Sequence, residues 1–164
     1  MSSQSLPHTP TPGEHRDALR EAVVEVAENS FFAYVEPSDP ERFADQRTAV
    51  PAWIQSSVLF DGPFGGAVQV VVPEALARDL FAAFLGADPD VVALDAPLFD
   101  LMGELGNMVC GAWLTRTCHR SRFDLQPPAV SRLRSEEARP DLADCLFLAI
   151  NDQPAYVRLG FAGE

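Results

Sequence analysis

The sequence predicts an α+β fold, a two-layer sandwich with three main helices packed on one face of a largely antiparallel sheet. Three observations carry that expectation. Segments 14–34, 73–85 and 95–118 repeat apolar residues at helical spacing, whereas 54–60, 65–72, 144–150 and 155–161 read as strands. The strands fall in pairs around turn signals, Asp61-Gly62-Pro63 and Asn151-Asp152-Gln153-Pro154, so they read as hairpins. Strand and helix do not alternate along the chain, which argues against a parallel sheet built from crossover helices.

In order, residues 1–10 are Ser, Pro and Thr with little apolar content and read as a disordered tail, leaving 11–164 as a single domain. Thr11-Pro12-Gly13-Glu14 reads as a capping box with Pro at the first helical position. The helix it opens runs to about Tyr34, with Leu19, Val23, Val26 and Phe31 inward and Glu14, Asp17, Glu21, Glu25 and Glu28 outward. Pro37 ends it, and Glu36–Ala49 reads as a polar connector. After the first hairpin, Pro73 opens a helix through Leu85, with Gly86 at its C′ position. Asp95 is the expected cap of the third helix, whose end carries Arg116, His119 and Arg120 against the negative pole of the dipole. Arg122–Leu125 and Ala129–Leu133 are short strands divided by Pro127-Pro128, and Ser135–Leu142 is polar loop. The closing hairpin is expected to leave a strand edge exposed.

Composition excludes several function classes. The 164 residues have 47% hydrophobic and 22% charged content, as expected of a soluble globular protein with a sizeable core. The net charge of −12 disfavours nucleic acid and anionic membrane surfaces as partners. All of the imbalance lies in residues 1–115, with 17 acids against 5 Arg, while 116–164 carry 7 of each. There is no Lys, hence no lysine chemistry. No signal peptide and no apolar run of about 20 residues is visible. Cys110 and Cys118 are eight residues apart on one helix, roughly 12 Å along its axis, too far for a disulfide. Three apolar-flanked cysteines fit a reducing cytoplasm. Neither a metal-ligand spacing, a phosphate-binding glycine loop nor a nucleophile elbow is present. His8 and His15 are placed in or near the tail and His119 at a helix end, which leaves no Ser/His/Asp arrangement.

One helix spends residues a helix should avoid. Gly103, Gly106, Asn107 and Gly111 interrupt an otherwise strong amphipathic pattern and together disfavour it by roughly 3 kcal/mol. At about 100° per residue, Asp100, Glu104, Asn107, Gly111 and Cys118 line one narrow stripe, with Leu98, Met102, Leu105, Val109 and Trp113 opposite. Glu104 and Asn107 are three apart and therefore neighbours. A carboxylate and a neutral carboxamide on a cleared face suit insertion into another molecule. The competing reading is an ordinary solvated helix face, and Gly106 falls on the apolar side.

The segment Glu104-Leu105-Gly106-Asn107-Met108-Val109-Cys110-Gly111 resembles the Glu-x-x-Asn signature helix of the CheX/CheC chemotaxis phosphatase family. Asp100, one turn earlier, and Pro127 or Pro128 after the helix also match the family pattern, and Ser56–Leu85 is similar to its middle portion. The resemblance covers roughly Glu14 to Phe161. On the first helix, where some members carry a second such motif, Glu25-Val26-Ala27-Glu28-Asn29 has the wrong spacing, so one active surface per chain is expected. The resemblance implies a cytoplasmic phosphatase acting on the aspartyl phosphate of a phosphorylated CheY-like response regulator. Asn107 would position the attacking water and Glu104 would engage the regulator's lysine. Asp100, Gly103 and Gly111 would border the partner, the two glycines letting its loops come close. The chain would need no cofactor of its own, the magnesium ion sitting on the regulator. A homodimer through sheet edges is also implied. The alternative is a non-catalytic module on the same fold that binds a response regulator or the flagellar switch.

Overall fold

The computed structural model describes residues 12–88, 94–140 and 145–163. The expected tail, the capping residue Thr11, residues 89–93, the end of the expected loop Ser135–Leu142 and the first residue of the expected strand 144–150 lie outside the described residues. The elements are α1 (Pro12–Phe31), β1 (Val35–Pro37), α2 (Pro40–Arg47), β2 (Ala52–Asp61), β3 (Gly66–Pro73), α3 (Glu74–Leu85), α4 (Asp95–Cys118), β4 (Asp124–Leu125), β5 (Ala129–Arg134), β6 (Cys145–Ile150) and β7 (Gln153–Phe161). The sheet is antiparallel throughout and runs β1-β6-β7-β3-β2, with β4 and β5 both paired to the outer side of β2.

Local chemistry explains most boundaries. Gly86 closes α3 at φ 65°, a left-handed conformation that favours glycine. Asn151 and Asp152, at φ 48° and 63°, form the two-residue turn between β6 and β7 and twist with the strands. Pro127-Pro128 separates β4 from β5, because proline cannot donate to a ladder.

Helices α1, α3 and α4 cover one face of the sheet, over a core that includes Leu19, Phe31, Ile54, Val58, Phe60, Leu76, Leu98, Met102, Val109 and Trp113. The polar connector expected over Glu36–Ala49 is instead β1 and α2. Asp39 caps α2 by accepting from the Arg42 N–H at 2.8 Å, Pro40 sits in its first turn, and Phe43 is its buried anchor. Phe43 packs with Trp53, Val71, Phe147 and Tyr156. These come from the alternate strand positions, so α2 covers part of the opposite sheet face.

Three further expectations give way to packing. The closing hairpin lies inside the sheet, between β1 and β3, so the outer strands are β1 and β4–β5. His15 is buried, with its ring centroid 5.5 Å from Trp113 and 5.1 Å from Phe161. Asp95 does not cap α4. Leu94 occupies the cap position, and the Asp95 carboxylate in the first turn accepts from Arg132 at 2.9 Å.

Arg132, on the outer strand, ties three elements together. It donates to Glu74 at 2.6 Å and to Asp95 at 2.9 Å, and its guanidinium lies 5.3 Å from the centre of the Phe99 ring. Hydrogen bonds from Arg132 hold both carboxylates below their ordinary pKa. Their folded-state pKa values are depressed. The linkage therefore stabilises the fold above the ordinary carboxylate range and is lost as pH falls from that range down through the depressed folded-state values. Urea unfolding midpoints should fall below about pH 5 more steeply in the wild type than in Arg132→Gln, which should itself lose about 1 kcal/mol at neutral pH because the cluster is partly solvated.

The motif helix sits on the sheet through two missing side chains. A Cβ at Gly106 would lie 2.3 Å from Ser56 Oγ and 3.2 Å from Val58 Cγ2. A Cβ at Gly103 would lie 2.9 Å from Pro128 Cγ. Ser56 Oγ is buried without a hydrogen-bond partner. Gly106→Ala should therefore destabilise the fold by about 1–3 kcal/mol by overpacking, outweighing the gain of about 1 kcal/mol in helix propensity. Adding Ser56→Ala should recover part of the loss, because it removes the nearest atom and an unsatisfied hydroxyl. Urea denaturation of the two single variants and the double variant checks this.

Candidate functional site

Helix α4 is buried along Leu98, Leu101, Met102, Gly103, Leu105, Gly106, Val109, Cys110, Trp113 and Leu114. Its remaining arc faces outward. Asp100 and Glu104 are exposed, and Asn107 and Gly111 are half-buried on the same arc. The helix is fixed on its other sides, since Val109, Cys110 and Trp113 are fully buried. Cys110 is so enclosed that burial pushes its thiol up to about 12, which makes it a packing residue rather than a nucleophile. Arg116, at the end of α4, is not spent on the helix dipole. It pairs with Glu21 at 3.4 Å and also with Glu25, fastening α4 to α1.

Among the described residues, neither Glu104 nor Asn107 has a hydrogen bond or ion pair to another side chain or to the backbone. Glu104 offers an acceptor-only carboxylate, and Asn107 offers one carbonyl and two N–H donors. Both are available to an incoming molecule without breaking an existing contact. At Gly111, one turn beyond Asn107, an added Cβ would meet nothing within 4 Å. The surface beside the carboxamide is thus low and open.

The five residues singled out from the sequence separate into two groups. Asp100, Glu104, Asn107 and Gly111 share the open arc. Gly103 does not. It is buried, and Pro128 and Val130 occupy the space its side chain would need. Its role in the structure is close approach of α4 to β5, not clearance for a partner. The signal was present in the spacing, since Gly103, Cys110 and Leu114 follow a seven- and four-residue step along one side of the helix. Sequence reasoning also missed Ser56 and Pro128 as the surfaces that set the height of the motif helix, because both contacts are long-range.

The arrangement is a convex helical face, not a cleft. A groove of about 570 Å³ lies elsewhere, lined by Leu59, Ala67, Gln69, Gln126 and Arg158 among others, and includes none of the motif residues. Among the described residues no group of three or more His, Cys, Asp or Glu side chains converges to hold a metal ion. No described helix is long and apolar enough to cross a membrane. A face of this kind leaves its polar groups within reach of another molecule.

Comparison with known proteins agrees with that geometry. The family model for chemotaxis phosphatase CheX matches residues 54–151, which span β2 through the end of β6 and include the whole of α4. The structure of chemotaxis protein CheX from Vibrio vulnificus superposes with a TM-score of 0.70 at 17% identity, covering 93% of this chain and 99% of that one. A chemotaxis protein CheX from Desulfovibrio desulfuricans superposes at 0.66 with 15% identity, covering 90% and 99%. The CheX–CheY–BeF3–Mg2+ complex from Borrelia burgdorferi matches at 0.61 with 13% identity, covering 90% and 97%. Among curated proteins none matches this sequence. With its family match extending over more than half the chain and the motif helix inside it, this protein belongs to the CheX chemotaxis phosphatase family.

Proposed function

We propose that the chain accelerates hydrolysis of the aspartyl phosphate of a CheY-type response regulator. The observation that carries this reading is the unpartnered pair Glu104 and Asn107 on the open arc of a helix locked to the sheet on its other sides. Support also comes from the family match and from a relative in complex with CheY, BeF3 and Mg2+.

The proposed chemistry needs little from the chain beyond placement. The regulator supplies the phosphorylated aspartate, its magnesium ion and a lysine. α4 enters beside the phosphoryl group. The Asn107 side chain holds a water in line with the bond to be broken, its carbonyl accepting a hydrogen bond from that water, whose two hydrogens leave with the phosphate product. The water oxygen attacks phosphorus, the P–O bond to the aspartate breaks, and inorganic phosphate leaves with the carboxylate restored. A neutral amide suits this position, because a carboxylate would be repelled by the phosphoryl oxygens. Glu104, on the same face, pairs with the regulator's lysine and fixes the approach of the helix. Both effects are positioning and electrostatics, the dominant contributions to phosphoryl transfer.

Asn107→Ala should leave binding of the phosphorylated regulator intact and reduce the accelerated phosphate release by about 100- to 1000-fold, equivalent to roughly 3–4 kcal/mol of barrier. The fold should be unharmed, since alanine is the better helix former. Phosphate release in the variant at the wild-type rate contradicts the assignment, and binding without hydrolysis in the wild type favours the non-catalytic alternative.

Glu104→Arg should weaken binding of the phosphorylated regulator, and more so at low ionic strength, where the new repulsion is least screened. The loss should be roughly 2–5 kcal/mol if the contact is shielded from solvent and about 1 kcal/mol or less if it stays exposed. Titration of the regulator at two salt concentrations reads this directly. Equal affinity of variant and wild type removes the docking role.

A further inference from the structure

A second surface, on elements that carry none of the motif residues, has the character of a docking site. Of the seven large apolar side chains that stand exposed among the described residues, four gather at the ends of α1 and α3: Phe32 at 77%, Tyr34 at 60%, Phe84 at 46% and Leu85 at 57%. Phe84 stacks on the buried Phe31 at 5.5 Å, which brings the two helix ends together. Tyr34 is joined to the β6–β7 turn, its N–H donating to Asn151 Oδ1 at 2.9 Å.

Phe32 is the informative residue. It adopts φ 54°, a left-handed conformation that suits glycine or asparagine and is an outlier for a bulky side chain. Its ring is the most exposed large apolar side chain described. The fold gains little burial from it and would be served better by glycine. Strain of this kind, retained where the fold does not need it, points to a use for the side chain.

Carboxylates predominate on the rim of the patch. Tyr34 donates to Glu36 at 3.2 Å, and that hydrogen bond, with the charge of Glu36, holds its hydroxyl above the ordinary phenol pKa. Glu28 lies four residues before Phe32, and Asp152 follows Asn151, which accepts from the Tyr34 N–H. Arg42 approaches Glu36 at 3.7 Å and partly neutralises it. Glu28 and Asp152 have no cationic partner among the described residues. An apolar centre in an acidic rim is complementary to an apolar anchor flanked by Arg or Lys. A second copy of this chain fits poorly, because it would bring the same carboxylates into opposition in a molecule of net charge −12.

We infer that the Phe32–Tyr34–Phe84–Leu85 surface docks a basic amphipathic segment of a second protein. The probe is a fluorescent amphipathic helical peptide with a leucine stripe flanked by arginines, titrated against the full chain, with a counterpart carrying glutamates in place of the arginines. The arginine peptide should bind and the glutamate peptide should not. Phe32→Gly, Phe84→Ser and Glu28→Lys should each weaken binding about tenfold or more. Phe32→Gly should do so while raising Tm, a combination that a purely structural residue would not give. Equal affinity across these variants overturns the proposal. So does an equal loss in Glu136→Lys, away from the patch, which would reduce the binding to diffuse attraction. A dimer that sediments as monomer in Phe32→Gly assigns the surface to a second copy, and binding to phosphatidylcholine vesicles assigns it to lipid; either result overturns it as well.

Discussion

The close approach of α4 to β2 and β5 is the constraint on which the rest depends. Side chains are absent at Gly103 and Gly106, where Pro128 and Ser56 fill the space. That allows the helix to sink until Val109, Cys110 and Trp113 are fully buried. The depth of the helix decides which residues remain outside, and Glu104, Asn107 and Gly111 are on that narrow arc. Glycines that weaken the isolated helix thus contribute to its burial, and the transfer of its apolar face out of water is the larger effect. The Glu104–Asn107 pair is presented by a firmly packed element, as the proposed in-line reaction on another molecule requires.

Two further contacts hold the helix at its ends. Arg132 links the outer strand to the starts of α3 and α4, and Arg116 links the end of α4 to α1. Each pair is partly solvated and individually weak. Together they fix the helix against sliding along the sheet, which matters more for the placement of Asn107 than for the total stability. Two arginines of the charge-balanced segment 116–164 are thereby engaged with the acidic remainder of the chain, through Glu21, Glu25, Glu74 and Asp95.

Much of this is legible in the sequence. The end of α4 at Cys118 and the left-handed Gly86 stand where their signals put them, and the turn falls on Asn151-Asp152, the first two residues of the expected Asn151–Pro154 segment. The helix layer on an antiparallel sheet followed from element order. Helix α2 was missed because eight residues with one apolar anchor, Phe43, show no periodicity, although Asp39-Pro40-Glu41 is a helix-start signature. His15 was placed near the tail because nothing local announces that Trp113 and Phe161 will enclose it. Gly103 was assigned to the partner for the same reason, since its occupant, Pro128, is distant in sequence. Local signals located the elements and the exposed stripe, and long-range packing decided the orphaned cases.

On the proposed reading, the Asn107 amide and the Glu104 carboxylate of α4 act in combination with a phosphorylated partner. The most direct test is the decay of the phosphorylated CheY-type regulators of the same genome, followed by phosphate release with and without the purified chain. The result predicted is faster decay of at least one regulator, dependent on the amount of chain added. Decay at the spontaneous rate for every such regulator, with the chain folded and in excess, would contradict it.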